Sequence, residues 1–153
     1  MENWYLTCYK SGTPNLYKAQ NLLYKIGVTT LSPSIRTSRL RSDSQTYRFI
    51  VEPIFKGYLF TFFDPEKVHT RKVEHCPGIS HLVRFANTIV PIRKAVMDEI
   101  MCLPLCMNDA TNPNHKITTS LKESQKEQIK NIVQQKEAHA RTALFLAFLE
   151  AIQ

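Results

Sequence analysis

The stretch VEPIFKGYLFTFFDPE, residues 51–66, decides the fold. Side chains alternate across a strand, so Tyr58, Phe60 and Phe62 lie on one face while Leu59 and Phe63 lie on the other. Both faces are apolar. An antiparallel sheet in a small protein ordinarily buries one face and wets the other, so this strand predicts a sheet with cover on both sides.

Upstream, NWYLTCY (3–9) reads as a strand that SGTP breaks. From Asn15 to Ile26, apolar residues fall at Leu16, Ala19, Leu22, Leu23 and Ile26, with Pro14 near the start and Gly27 past the end, which predicts a helix. TTLSPSIRTSRLR and QTYRFIVEPIF are extended segments joined by the polar turn SDSQ, giving a hairpin over residues 34–53. Downstream, DPEKVHT has room for one helical turn, RKVEHC and HLVRFA are short strands around Pro77-Gly78, and Pro91 opens a helix running to Met101. The order β-α-β-β-β-β-α predicts an α+β architecture, an antiparallel sheet flanked by helices.

Residues 102–116, CLPLCMNDATNPNHK, carry Pro, Asn and Asp without periodicity and read as a linker. The tail 117–153 has neither Gly nor Pro. Ser120 with Glu123 forms a capping box before a helix with Leu121, Ile129, Ile132 and Val133 on one side. A second helix spans Ala138 to Ala151, and the two make an antiparallel hairpin whose LFLAFL core is too apolar to face water.

The 153 residues carry a formal charge of +7 and 43% hydrophobic residues, enough for one core and a basic surface. The surplus sits in residues 1–105, with 14 Lys/Arg against 8 Asp/Glu, while residues 106–153 hold 6 against 5. Such a balance favours a polyanionic partner. No apolar run reaches the length of a membrane span and MENWYLTCYK lacks a signal-peptide pattern, so a cytoplasmic monomer with reduced Cys8, Cys76, Cys102 and Cys106 is expected.

Catalytic signals are weak. Cys102 and Cys106 with His115 and His139 lack the ligand spacing of a structural zinc site. Cys76 has His75 beside it and His81 across a turn, but neighbours in a strand face opposite ways, which leaves His75 badly placed as a base. No phosphate loop, GxSxG or HExxH is present, so neither an enzyme nor a cofactor is expected. The basic run RTSRLR puts Arg39 and Arg41 on one strand face and Arg36 on the other, a pattern that fits either phosphate binding or a solvated hairpin. Trp4, Tyr5, Tyr17, Tyr24 and Tyr47 are suited to core or edge packing, and to base stacking where exposed.

With WYL, EP-I-F, GYLF, the Asp64-Pro65 pair, VHT and GISHLVRF in colinear order over residues 1–101, the chain resembles the N-terminal domain of the NusG transcription elongation factors. Within that family it is most similar to the RfaH-type paralogues and their plasmid-borne ActX relatives. The resemblance implies a polymerase-binding domain over 1–101, a linker over 102–116 and a helical hairpin over 117–153. It implies a four-stranded antiparallel sheet that docks on the clamp helices of bacterial RNA polymerase, reaches the gate loop and suppresses pausing and termination. Carried over by position, the clamp-binding residues are Tyr58, Phe60, Leu82, Phe85, Val96 and Ile100. The gate-loop motif corresponds to His69, Thr70 and Arg71, with Arg71 in place of a threonine.

RfaH-type factors also read non-template DNA. Lys10 and Lys18 match that site, but Leu22 replaces a base-contacting histidine and Pro77 an arginine, so phosphate contact is favoured over readout of the same element. In RfaH a C-terminal helical hairpin covers the clamp-binding face, then refolds to a barrel and meets a small-subunit ribosomal protein. AHARTALFLAFLEAI resembles the second helix of that hairpin, Glu52 and Arg141 fall at an interdomain ion pair, and Leu144, Phe145 and Phe148 are the expected apolar contacts. No glycine follows Gly78. Tight barrel turns need positive φ, so the tail is expected to stay helical, which also argues against the ribosomal contact.

Overall fold

The computed structural model describes residues 1–103 and 120–153, so most of the expected linker, with Cys106 and His115, lies outside the described residues. The first strand, β1 (Asn3–Tyr9), is central. It leads into α1 (Thr13–Lys25), which has Pro14 in its first turn, where a missing N–H costs no hydrogen bond. Then come β2 (Thr29–Leu31), β3 (Ser34–Leu40), β4 (Tyr47–Pro53) and β5 (Tyr58–Phe63). They are followed by α2 (Thr70–Glu74), β6 (Ile79–Leu82), α3 (Lys94–Met101), α4 (Glu123–Val133) and α5 (Ala138–Ile152).

Strands β2-β5-β1-β6 form one antiparallel sheet, and β3-β4 form a separate two-stranded ribbon. The extended segment expected from Thr29 to Arg41 divides at Pro33. Proline has no N–H to give a ladder, and the Pro33 carbonyl instead accepts from the Ile54 amide at 2.8 Å, closing the base of the ribbon.

Four local expectations need correction. RKVEHC is not a strand: Thr70–Glu74 is helical, opened by His69, whose Nδ1 accepts from the Arg71 amide at 3.2 Å. Only the start of HLVRFA is a strand, because Phe85 and Thr88 exchange both backbone hydrogen bonds at 2.9 Å around Ala86 and Asn87, which hold φ of 46° and 65°. The third helix starts at Lys94, since the Ile92 amide still donates to the Trp4 carbonyl at 2.7 Å as an extension of the sheet. In the tail, α4 starts at Glu123, and Gln125, not Glu123, reaches back to accept from the Lys122 amide at 3.2 Å.

Both faces of the sheet are covered. On one, Tyr5, Tyr9, Leu59, Phe63, Ile79 and Leu82 pack with Leu16, Ala19 and Leu23 of α1 and Val73 of α2. Gly78 enables this closure, because at φ 92° a Cβ there would come 2.8 Å from the Asn15 carbonyl oxygen. On the other face, Leu6 and Phe60 pack with Val96, Met97 and Ile100 of α3 and with Ile129, Ile132, Phe145 and Leu149 of α4 and α5. The helix predicted from Ala138 is therefore the cover that the opening strand required.

Candidate functional site

Strand β5 aims Tyr58 and Phe60 at the C-terminal helices. Phe145 of α5 stacks on Phe55 with centroids 4.2 Å apart and planes at 17°, and meets Phe60 edge-on at 5.9 Å and 76°. Phe148 extends the stack, 6.4 Å from Phe145. Such aromatic pairs contribute about 0.5–1.5 kcal/mol each beyond the area they bury. Val96 and Ile100 are fully buried in the same cluster, and Phe85 packs half-buried at its edge. Tyr58 is partly buried, and desolvation, with a smaller contribution from Cys8, pushes its phenol pKa up.

Leu82 does not join this group. It lies opposite Thr7 in β1 and is buried in the cluster under α1, while its neighbour Val83 packs on the Phe60 side. Trp4, Leu6 and Phe55 also belong to the Phe60 face, although sequence reasoning did not select them. For Trp4 and Leu6 the alternation of β1 carried the signal. Phe55 precedes the strand, where alternation says nothing.

The hairpin residues separate in the same way. Phe145 and Phe148 are buried with Leu149 and Ile152, whereas Leu144 is 45% exposed and lines a groove of about 340 Å³ between α4 and α5. The apolar run wraps the whole helix, so sequence alone does not select its buried stripe.

Arg141 is 1% exposed, and its guanidinium makes four hydrogen bonds. Its Nε donates to the Ile54 carbonyl at 3.0 Å, Nη1 to the carbonyls of Gln135 and Lys136 at 2.8 and 3.2 Å, and Nη2 to Glu52 Oε1 at 3.3 Å. A buried cation is costly unless paired and hydrogen-bonded, and here it is both. Glu52 Oε2 accepts from Arg39 at 2.8 Å, so one carboxylate joins the ribbon to α5.

The basic residues fall at two places. Lys10 and Lys18 are exposed, Lys10 just after β1 and Lys18 on α1 with the exposed Tyr17. On the ribbon, Arg36 stacks over the Phe49 ring at 4.3 Å, Arg39 is paired with Glu52, and Arg41 lies 3.6 Å from Asp43. His69, Thr70 and Arg71 open α2, where His69 and Arg71 are exposed and Thr70 is half-buried.

The cysteine site lacks the setting of a nucleophile. Cys76 is buried and desolvation pushes its thiol pKa up, while His75 Nδ1 contacts the Arg71 carbonyl at 2.6 Å and His81 Nδ1 the Ser80 hydroxyl at 3.0 Å. Among the described residues, no cluster of three His, Cys, Asp or Glu could hold a metal, and no helix is long and apolar enough to cross a membrane.

The sheet, its flanking helices and the aromatic face all lie in or against the segment that a comparison with protein families identifies. Residues 2–101 match the NusG family, described as transcription termination factor NusG. That match spans more than half of the chain and ends with the last residue of α3. By its sequence over this whole segment, the chain belongs to the NusG family of transcription factors.

Proposed function

We propose that the chain is an RfaH-like, non-enzymatic elongation and antitermination factor. In this reading residues 1–101 form the polymerase-binding domain and 117–153 an inhibitory hairpin. Tyr58, Phe60, Phe85, Val96 and Ile100, with Phe55 added, supply the surface for the polymerase clamp helices. His69, Thr70 and Arg71 face the gate loop, and Lys10 and Lys18 meet DNA phosphates. The observation that carries the reading is the Phe145 stack on Phe55 and Phe60, locked beside the Arg141–Glu52 pair. An apolar patch of this kind is the usual mark of a protein interface, and here a separate C-terminal segment occupies it.

Because the same face serves hairpin and polymerase, polymerase must offset the hairpin's contacts, and its apparent affinity falls by the fraction of closed molecules. A pull-down with core bacterial RNA polymerase, comparing the full chain with residues 1–105, tests this. The shorter chain should capture more polymerase. Equal or weaker capture rejects masking, and no capture by either rejects the polymerase reading.

A further inference from the structure

We propose that the outward face of the β3-β4 ribbon is a stacking platform for single-stranded nucleic acid. This deepens the reading of the chain as a factor that touches DNA, and it rests on the part of that reading concerned with nucleic acid. The ribbon register brings Leu40 opposite Tyr47, Ser38 opposite Phe49 and Arg36 opposite Val51 on one face. Tyr47, Phe49 and Val51 are 71%, 68% and 71% exposed, so two rings and an aliphatic side chain lie exposed in a row on one face of the ribbon. Two-stranded ribbons are marginal by themselves, and an unprotected aromatic row on one is a liability unless something binds there.

Charge selects the occupant. The ribbon holds Arg36, Arg39, Arg41 and Arg48 against Asp43 and Glu52, and Glu52 is already shared by Arg39 and Arg141. Arg36 lies on the aromatic face itself, while Arg39 and Arg48, opposite one another on the other face, add to the positive field around the ribbon. Arg36 stacked on Phe49 combines a cation with a π-face, the pairing that single-strand binders use for phosphate and base together. Residues two apart in a strand are about 6.8 Å apart, twice the spacing of about 3.4 Å between stacked bases, so Tyr47 and Phe49 match the step of a strand with unstacked bases. A duplex keeps its base faces covered and cannot use such a platform.

The test is fluorescence anisotropy of the full chain with a labelled mixed-sequence DNA of roughly a dozen nucleotides, single-stranded and as its duplex, over a salt series. The single strand should bind more tightly. Replacing Tyr47→Ala with Phe49→Ala should weaken it at least about tenfold with the salt slope kept, and Arg36→Gln should flatten the slope by about 0.7. Exposure of these side chains makes loss of fold a poor explanation, and far-ultraviolet dichroism checks it. Unchanged affinity in the double variant, or a preference for duplex, overturns the proposal. Capture of core polymerase by the double variant separates the two readings. Normal capture by the unsubstituted chain without single-strand binding rejects the platform alone, and capture lost in the double variant with single-strand binding unchanged makes the ribbon a protein surface, which also overturns it. Single-strand binding that depends on Tyr47 and Phe49 upholds the platform even if residues 1–105 capture no polymerase.

Discussion

The two faces of the central sheet bury similar apolar side chains, yet they are closed by different means. Under α1, cover comes from chain neighbours: β1 runs straight into the helix, the helix returns to β2, and Leu16, Ala19, Leu23, Leu59 and Phe63 pack beside the buried hydroxyls of Thr7 and Thr61, 2.8 Å apart. Over Phe60, much of the cover arrives from the far end of the chain, in α4 and α5, and an apolar stack is combined with a buried guanidinium bound to three carbonyls and one carboxylate. Apolar contact tolerates many arrangements, whereas a buried cation tolerates one. The first face is thus closed by proximity and the second by a specific fit.

Arg141→Ala should have the largest effect. Removing one partner of a buried pair costs about 3–5 kcal/mol, because carbonyls and Glu52 are left without their donor. Amide exchange should then show α4 and α5 losing protection while β1 and β5 keep theirs. Equal loss in the strands would break the comparison, since it would make the two faces one cooperative unit.

Gly78→Ala sharpens it from the other side. A Cβ 2.8 Å from the Asn15 carbonyl and a φ of 92° together predict a loss of about 1–3 kcal/mol. Chemical denaturation should register that loss for the sheet and α1, with Arg141 and Glu52 still paired.

The smallest effect is at alkaline pH and touches both faces. Burial raises the thiol pKa of Cys8 and Cys76 from 9.0, and the phenol pKa of Tyr5 and Tyr58 from 10.0. The folded state then holds protons that the unfolded chain releases, so this stability is complete below about pH 9 and declines as pH rises through the folded values. Urea midpoints should fall on raising the pH from 7 to beyond 9, and less in Cys76→Ala. A midpoint that rises over this range would contradict the burial of these groups.

Much of the fold was legible because its signals are periodic. The strand at 3–9 has its predicted bounds, and the helices at 15–26 and 138–151 were read to within about two residues. RKVEHC misled because Val73 and Cys76, three apart, suit one helical turn as well as a strand, and five residues are too few for period to decide. Alternation also does not say which sheet a strand joins, so the ribbon's separation at Pro33 went unread. At the candidate face, Phe60 and Phe145 were legible as apolar faces in need of cover, and their pairing was implied by the resemblance. Leu82 was assigned by resemblance, and the register shift between Cys8 and Tyr9 lets Ile79 and Leu82, three apart, share the face under α1. Leu144 was lost in a helix apolar on every side.

Arg141 also bears on how α5 can leave. Its four hydrogen bonds reach strand β4, the turn after it and the connection between α4 and α5, and the Phe145 stack lies one helical turn away. Lifting the helix slightly would strand a cation out of reach of both its partners and water, so partial opening is the worst position of all. Under the proposed masking, departure would therefore be a threshold event: α5 would stay seated or come away whole, and a competitor for the face would gain by catching the departed state rather than by prying at its edge.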